Sequence, residues 1–291
     1  MCCGGRSGKK SRSRGKARFK RGVTARQMMA LSYSNKLVDF LLCRPEHYGI
    51  NYSINPWMNI HNSADTGKAV EQWNSLKSKI EELNGSVQLV KSISGLPDMV
   101  FTANAALILK NGTVLLSKFT HPERSGEEDL FEAWFVENGY TVIRTDKSFE
   151  GAGDALYLGD TLVGGYGFRS DPEVYLDLTS TVVRLVDPYF YHLDTCFCPL
   201  QDMDYMIWAG AFDNSSLSMI RNLGGNEISI PENEARLFAC NAVRIGKNII
   251  LPAGCPETES LLAQKGYLTH PLEMSEFIKS GGACKCLTLV I

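Results

Sequence analysis

Short apolar runs, each interrupted by a turn, recur along the chain at nearly equal intervals. They are "NAALILKNGTVLLS", "DALYLGDTLVGGYGF", "TCFCPLQDMDYMIWAG" and "NAVRIGKNIILPAG". Asn111-Gly112 and Gly159-Asp160 are turn dipeptides between β-favouring segments, so the runs predict β-hairpins. The turns fall near residues 111, 159, 203 and 246, which indicates a repeat of about 45 residues.

Amphipathic segments lie between the predicted hairpins. "SGEEDLFEAWFVENGY" and "ETESLLAQKGY" carry acidic residues early and a glycine near the end, which is typical of a helix that returns to a strand. "DTGKAVEQWNSLKSKIEELNG" has the same character, with Asp65 or Thr66 as its N-cap. The chain is therefore predicted to be an α/β protein of ββαβ units. The terminal "CLTLVI" is expected to be a lone strand paired with "HYGINYSI", which would close the array into a ring.

A ring of such units brings the start of each hairpin toward one central cavity. The polar residues at these starts are Asn104, Glu150, Asp154, His192, Asp194, Asn241 and Cys286. A thiol, an imidazole and several carboxylates are thus expected to meet. Asn241 is interpreted as a structural loop amide.

Composition and length limit the class of protein. The chain has 291 residues, of which 44% are hydrophobic, which is ordinary for a globular protein. No run of about 18 apolar residues is present and the N-terminus lacks a secretory core, so a cytoplasmic location is expected. Nine cysteines, an odd number, predict reduced thiols that are available for chemistry.

The charge is distributed unevenly. Residues 1–22 hold nine Lys/Arg and no acid, which leaves 21 basic and 32 acidic residues, a charge of -11, for the rest. We predict a disordered basic leader at 1–24 and a catalytic domain at 25–291. We interpret the leader as a solvated segment with no specific partner. The alternative is a polybasic contact with anionic lipid or nucleic acid, with acylation of Cys2 or Cys3 as a membrane anchor. The acidic body argues against nucleic acid as the main partner.

The converging side chains indicate a reaction type. A thiolate becomes a nucleophile when an imidazolium stabilises it, and histidine moves protons near neutral pH. Several carboxylates around one thiol suit a cationic substrate and do not suit an anionic one. A guanidinium, which is planar and cationic, fits this set.

The motifs "FEGAGDAL", "HLDTCF" and "GGACKCLTL" resemble those of the guanidine-modifying pentein superfamily, whose fold is a five-fold pseudosymmetric α/β propeller. The resemblance runs from "RPEHYGINYSINPWM" to the last residue. It is closest to arginine dihydrolase domains and dimethylarginine dimethylaminohydrolase-like proteins, through "INPWM", "LPDMVFTANA", "HLDTCFCPL" and "KCLTL".

The resemblance implies catalytic roles. Cys286 would be the nucleophile and His192 the general acid and base. Glu150 would orient the histidine, with Asp154 as the alternative because "EGAGD" is one residue longer than the "EGGD" of arginine deiminases. No metal or organic cofactor is needed for this chemistry. Cys196 lies near His192 in the sequence, but the C-x-C spacing there is not that of structural zinc.

Binding roles follow from the same resemblance. Asp194 would grip the guanidinium nitrogens. Arg169, with Arg124 as a second candidate, would neutralise the substrate α-carboxylate. Asp98 would contact the amino-acid end of the substrate, unless it only forms a turn, and Asn55 would line the rim of the cavity.

Asn104 departs from part of the superfamily. Deiminases and mammalian dimethylaminohydrolases have Asp at this position, whereas arginine dihydrolases have Asn. An amide can donate a hydrogen bond to the oxygen of a neutral ureido group, so citrulline need not be the final product.

The resemblance implies hydrolysis of free arginine to ornithine, carbon dioxide and ammonia. The alternatives are dimethylarginine hydrolysis, deimination that stops at citrulline, amidino transfer, and arginine sensing without catalysis. The partner in each case is a small guanidino compound. A homo-oligomer is compatible with the sequence.

Overall fold

Five three-stranded sheets make up the strands of the computed structural model, which describes residues 1–4, 38–178 and 180–291. Each sheet contains one antiparallel and one parallel pair of strands. The strands are β1 Val38–Cys43, β2 Gly85–Val90, β3 Ala106–Ile108, β4 Val114–Leu116, β5 Val142–Ile143, β6 Ala155–Leu158, β7 Thr161–Tyr166, β8 Ser180–Arg184, β9 Phe197–Pro199, β10 Asp204–Ile207, β11 Asn226–Ser229, β12 Val243–Ile245, β13 Asn248–Pro252, β14 Leu268–Leu272 and β15 Leu289–Val290.

The sheets follow one another along the sequence. Their strand orders are β15-β1-β2, β3-β4-β5, β6-β7-β8, β9-β10-β11 and β12-β13-β14. All four predicted hairpins are present, with Leu107 opposite Leu115 in the first. The first turn needs glycine because Gly112 has φ +83°, a conformation that other residues rarely adopt. The predicted repeat of an antiparallel pair followed by a parallel strand is confirmed.

Helices connect many of the strands. They are α1 Thr66–Glu82, α2 Pro122–Ser125, α3 Glu128–Glu137, α4 Gly151–Asp154, α5 Asn214–Arg221, α6 Glu232–Ala235, α7 Pro256–Gln264 and α8 Ser275–Ile278. Asp65 caps α1, since its side chain accepts from the backbone N–H of Lys68 at 2.9 Å. The helix buries Trp73, Leu76 and Ile80, whose spacing places them on one face. The long segments between 66 and 82, 128 and 137, and 256 and 264 are helical as predicted.

The predicted partner of the terminal strand is wrong. β15 pairs antiparallel with β1, with Val290 opposite Phe40, whereas residues 47–54 form no strand. The segment "VDFLLC" has four fully buried positions in a row and pairs on both sides, which a continuous apolar run allows. "HYGINYSI" alternates apolar with polar residues, which suits a strand with one exposed face, whereas the last four positions of β1 are all buried. The terminal residues still join the first described strand, but through an earlier segment than expected.

Two other details differ from the predicted unit. The connection between β7 and β8 contains a 3₁₀ turn, Pro172–Tyr175, where an α-helix was expected. Pro172 starts this turn, and the tight turn suits the short connection. Cys284 and Cys286 lie in a turn, because β15 begins only at Leu289.

Residues 37–291 form one compact unit. Of the predicted leader, residues 5–24 lie outside the described residues, and residues 1–4 are exposed without regular structure. Where the chain is described, no helix is long and apolar enough to cross a membrane. The starts of β3, β6, β9 and β12 and the turn before β15 carry the polar residues of the candidate site.

Candidate active site

Cys286 lies in the turn before β15, and its side chain is 2% exposed. Its Sγ is 3.5 Å from Asp194 Oδ2 and 3.6 Å from Oδ1, so the thiol can donate to this carboxylate. Asn241 Nδ2 donates to the same sulfur at 3.1 Å. The thiol is therefore fixed between a carboxylate and an amide.

Asn241 also holds the loop that carries the cysteine. Its Oδ1 accepts from the backbone N–H groups of Cys286 and Ala283, each at 3.1 Å. Its Nδ2 donates to the backbone oxygen of Asp194 at 3.0 Å. The predicted structural role of this amide is correct, but its contact with the sulfur also makes it part of the site.

Burial controls the protonation of the thiol and its carboxylate neighbour. Burial raises the pKa of Cys286 well above its usual range, and the negative charge of Asp194 raises it further. Burial also raises the pKa of Asp194 to about 7, although Lys285 opposes this shift. The pair thus retains a proton near neutral pH, and an added positive charge would favour its release.

His192 is oriented by a buried carboxylate. Its Nε2 lies 2.8 Å from Glu150 Oε2, and Arg169 Nη1 donates to the same oxygen at 2.9 Å. Burial opposes ionisation of Glu150, but the charges of Arg169 and His192 outweigh it, so its pKa lies below the usual range. An ionised Glu150 requires a proton on Nε2, which leaves the lone pair on Nδ1. Within the described residues, Nδ1 has no hydrogen-bond partner.

Asp154 has a different position. Its Oδ1 accepts from the backbone N–H of Leu193 at 3.0 Å, and its Oδ2 accepts from Ser170 Oγ at 2.7 Å. Burial raises the pKa of Asp154 to about 6. The sequence left open whether Glu150 or Asp154 orients the imidazole. Glu150 is the carboxylate in contact with it, whereas Asp154 binds the backbone of Leu193, the residue after His192.

Arg124 is buried and fully engaged with the protein. Its guanidinium makes two hydrogen bonds to Glu127, at 2.9 and 2.8 Å. Its Nη1 donates to Asn104 Oδ1 at 2.9 Å, and its Nη2 donates to the backbone oxygen of Asp98 at 3.1 Å. Because Oδ1 of Asn104 accepts from Arg124, the NH₂ group of the same amide is directed away from Arg124.

The NH₂ group of Asn104 is buried and has no hydrogen-bond partner in the described part of the chain. A Cβ atom on Gly153 would lie 2.2 Å from this nitrogen and 3.4 Å from the ring of His192. Glycine at this position therefore lets the amide and the imidazole approach the same space.

Asp98 offers a second buried atom without a partner. Its Oδ2 accepts from Tyr52 Oη at 2.9 Å, whereas no described residue bonds its Oδ1. Burial raises the pKa of Asp98, and Arg124 opposes this shift. Asn104 and Asp98 both line one cavity, and each has a buried polar atom without a partner. Such atoms are costly unless a ligand or water pairs with them.

That cavity brings most of the predicted residues together. Its lining consists of Ile54, Asn55, Met58, Asp98, Phe101, Asn104, Arg124, Arg169, Tyr191, His192, Ser280, Gly281, Gly282 and Cys286. It leaves about 10 Å³ for the centres of water molecules, which is close to the minimum for one water. Asp194 is outside the lining but contacts the thiol, which belongs to it. Glu150 and Asp154 are also outside the lining, on the side of the histidine away from the cavity. A substrate can enter only if the covering residues move.

The cover is formed by three segments of the chain that contact one another. Asn55 Nδ2 donates to Tyr191 Oη at 3.2 Å and to the backbone oxygen of Ser280 at 3.0 Å. Tyr191 Oη donates to the backbone oxygen of Gly281 at 2.8 Å. Arg169 stacks over the Tyr191 ring at 4.6 Å. Asn55 therefore lines the cavity as predicted, while its polar atoms hold the cover together.

Several residues of the site escaped the sequence analysis. Glu127 lies three residues after Arg124, a spacing at which helical residues meet, so its pairing could have been proposed. Tyr191 and Lys285 directly precede His192 and Cys286, and this adjacency was an available signal. Tyr52 had no such signal, because only the three-dimensional arrangement brings it to Asp98. In the described residues, no cluster of three or more His, Cys, Asp or Glu side chains is arranged to hold a metal ion.

Comparison with known proteins agrees with this arrangement. No family model matches the chain. The chain is 46% identical over 266 residues to the bifunctional arginine dihydrolase/ornithine cyclodeaminase ArgZ of Synechocystis sp., which covers 87% of this chain and 37% of that protein. It is 34% identical to the N(G),N(G)-dimethylarginine dimethylaminohydrolase of Mycobacterium tuberculosis, over 87% of this chain and 85% of that protein.

Solved structures show the same fold. The N-terminal domain of ArgZ, described as an arginine dihydrolase from cyanobacteria and crystallised as a mutant bound to substrate, superposes with a TM-score of 0.83 at 44% identity. The match covers 87% of this chain and 97% of that domain. The chain spans about 37% of the length of the full bifunctional relatives.

The repeated sheets and a buried cysteine beside carboxylates and a histidine define the class, which is the guanidine-modifying pentein superfamily. Within it, the chain belongs to the family of arginine dihydrolases and dimethylarginine dimethylaminohydrolases. The fold predicted from the sequence motifs is confirmed.

Proposed function

We propose that this protein is an arginine dihydrolase, which converts free arginine and two water molecules to ornithine, carbon dioxide and two ammonia molecules. The observation that carries the proposal is the placement of the Cys286 thiol against Asp194, in a cavity shared with His192. The similarity to the cyanobacterial dihydrolase domain supports the choice of substrate.

The first step is formation of the nucleophile. A guanidinium beside Asp194 supplies the positive charge that the buried pair lacks, so the pKa of the Cys286 thiol falls when substrate binds. The free Nδ1 of His192 takes up the proton. The thiolate then attacks the guanidinium carbon and forms a tetrahedral adduct.

The second step breaks a C–N bond. Protonated His192 donates from Nδ1 to the departing nitrogen, and ammonia leaves from the adduct. Nδ1 of His192, which is now neutral, removes a proton from the water that attacks the thiouronium carbon. Expulsion of the thiolate gives citrulline. Glu150 keeps the imidazole in the required tautomer through both transfers.

A second round would act on the ureido carbon of citrulline. The partnerless NH₂ group of Asn104 can donate to the ureido oxygen, which an ionised Asp at this position could not do. Thiolate attack, loss of ammonia and hydrolysis of the resulting thiocarbamate would release ornithine and carbon dioxide. Arg124 supports this step because it occupies Oδ1 and so fixes the orientation of the amide.

The small cavity supports a free amino acid as the substrate. Arg169 and Asp98 border it and offer a cation and an acceptor to an α-carboxylate and an α-amino group. Arg169 would have to share its charge between Glu150 and the substrate.

Product analysis tests the proposal. The purified full chain is incubated separately with arginine, citrulline and asymmetric dimethylarginine, and the amino-acid products and ammonia are quantified. We expect about two ammonia molecules per arginine, with ornithine as the product, and slow turnover of citrulline. Quantitative accumulation of citrulline would replace this proposal with simple deimination.

Dimethylarginine hydrolysis is the second candidate function. The observation that favours it is the similarity to the mycobacterial enzyme over 85% of that enzyme's length. Release of dimethylamine from dimethylarginine, with no turnover of arginine, would establish this candidate and exclude the first.

The Asn104→Asp variant separates one round of hydrolysis from two. The added charge suits the cationic guanidinium but removes the donor to the ureido oxygen. We expect the variant to yield about one ammonia molecule per arginine and to accumulate citrulline. Asn104→Ser, which retains a donor, serves as the control and should keep part of the ornithine yield. Equal ornithine yields in the Asp variant and the wild type would contradict this role.

A further inference from the structure

A second cavity, of about 140 Å³, is lined by residues of β1, β6, β9, β12 and β15. Its lining consists of Phe40, Leu156, Tyr157, Phe197, Cys198, Pro199, Cys240, Ala242, Val243, Arg244, Lys285 and Val290. Strands β6, β9 and β12 each reach it a few residues after a residue of the candidate active site. Lys285, which lines the second cavity, is followed directly by Cys286, which lines the first.

The second cavity has an apolar wall and a cationic edge. Its lining includes two cationic side chains, Lys285 and Arg244, and no Asp or Glu. Where the chain is described, no carboxylate lies within 4 Å of either cation. Lys285 Nζ donates only to the backbone oxygen of Thr288, at 3.2 Å. Arg244 is exposed, and Lys285 is half-buried.

We propose that the second cavity binds a small organic anion, namely an aliphatic carboxylate whose chain lies against the apolar wall. Phe40, Leu156 and Val243 would contact the hydrocarbon part. Lys285 and Arg244 would hold the carboxylate through charge-assisted hydrogen bonds. An inorganic anion would leave the apolar wall unused, and an uncharged alcohol would leave the two cations unpaired.

Binding there should affect the thiol, and this consequence rests on the proposed function. Lys285 directly precedes Cys286 in the chain. The positive charge of Lys285 lowers the pKa of both Asp194 and Cys286, against the larger effect of burial. An anion paired with Lys285 would offset that charge and disfavour the thiolate. The carboxylate should therefore slow turnover without occupying the substrate cavity.

Calorimetric titration of the full chain tests binding without any need for activity. Hexanoate, hexan-1-ol and inorganic phosphate are compared at constant ionic strength. We expect hexanoate to bind at least tenfold more tightly than the other two compounds. Arg244→Gln and Lys285→Gln should each weaken hexanoate binding about tenfold. Lys247→Gln, which removes an exposed cation outside the cavity lining, should change it less than twofold.

Two results would overturn the site. One is equal binding of hexanol and hexanoate, which would mean that only the apolar wall matters. The other is unchanged hexanoate affinity in Arg244→Gln and Lys285→Gln, which would place the anion elsewhere.

Kinetics test the coupling separately. Saturating hexanoate should lower kcat for arginine about fivefold in the wild type and in Lys247→Gln. The same concentration should have little effect on Arg244→Gln. Competition with arginine, seen as a raised KM at constant kcat, would overturn the coupling. If the protein did not hydrolyse arginine at all, the titrations would still decide whether the carboxylate site exists.

Discussion

Asn241 connects the backbone of the site to its chemistry. One amide group fixes the loop of Cys286 through Oδ1 and touches both the sulfur and the backbone of Asp194 through Nδ2. These hydrogen bonds fix the position of the sulfur relative to Asn241 and Asp194. Covalent catalysis requires such positioning, because a misplaced nucleophile loses much of its rate advantage.

The proposed nucleophile can be tested against a neighbouring cysteine. Cys286→Ser should lower kcat for arginine more than a thousandfold, because a serine hydroxyl is a far weaker nucleophile in the same place. Cys284→Ser is the matched control, since Cys284 is equally buried but does not line the cavity. We expect it to lower stability and to retain most of kcat. Comparable loss of activity in two folded variants would rule out Cys286 as the sole nucleophile.

The buried Asp194 predicts a pH dependence. Only its ionised form holds a guanidinium, and burial raises its pKa to about 7. The value of kcat/KM for arginine, which reports on the free enzyme, should therefore be constant above pH 8 and fall about tenfold per pH unit below 7. Bound guanidinium stabilises the carboxylate, so the acid limb of kcat should lie at lower pH than that of kcat/KM.

The Asp194→Asn variant checks this assignment. We expect much lower activity and no acid limb near pH 7. A limb at the same pH in the variant would assign the titration to another group.

At the scale of elements, the repeat of hairpins could be predicted from the sequence. The strand pair that joins the end of the chain to β1 could not. The hairpins have local signals, such as Asn111-Gly112 between apolar runs, and these were sufficient. The pairing of β15 with β1 depends on residues 250 positions apart, with no turn to fix the register. The proposed catalytic residues were chosen from motifs at hairpin starts and in the terminal segment, through their resemblance to a known superfamily. The contact of Tyr52 with Asp98 needed the tertiary structure.

The cover of the substrate cavity depends on one glycine. Gly281 has φ +82°, and a Cβ there would lie 2.8 Å from Tyr191 Oη and 2.9 Å from Trp57 Cδ1. Gly281→Ala should therefore displace the cover and lower kcat/KM for arginine at least tenfold.

Gly112→Ala is the matched control for Gly281→Ala. It has the same sign of φ, +83°, but no atom lies within 4 Å of the added Cβ. We expect it to cost about 1 kcal/mol of unfolding free energy and to leave kcat/KM unchanged. Thermal unfolding and steady-state kinetics distinguish the two effects. An equal loss of kcat/KM in both variants would mean that backbone strain alone, and not the cover, determines activity.

At the scale of the whole molecule, charge separates two parts of the sequence. Residues 1–22 carry +9 and the remaining residues carry -11. All of the described site residues lie between positions 52 and 286. The acidic part favours the approach of cationic arginine, although salt at physiological strength screens most of this attraction beyond about 8 Å.

The leader is therefore expected to be dispensable for chemistry and to act in localisation. Deletion of residues 1–22 should leave kcat/KM for arginine within about twofold at physiological salt, because no described site residue is removed. It should abolish sedimentation with vesicles that contain phosphatidylserine, since each Lys or Arg near such a surface contributes about 1 kcal/mol. A full-length variant with all nine leader Lys/Arg changed to Gln is the control, and it should match the deletion in both assays. If the deleted protein were folded by circular dichroism but inactive while the Gln variant stayed active, residues 1–22 would contribute to the site through their backbone or length, and the boundary proposed for the catalytic domain would be wrong.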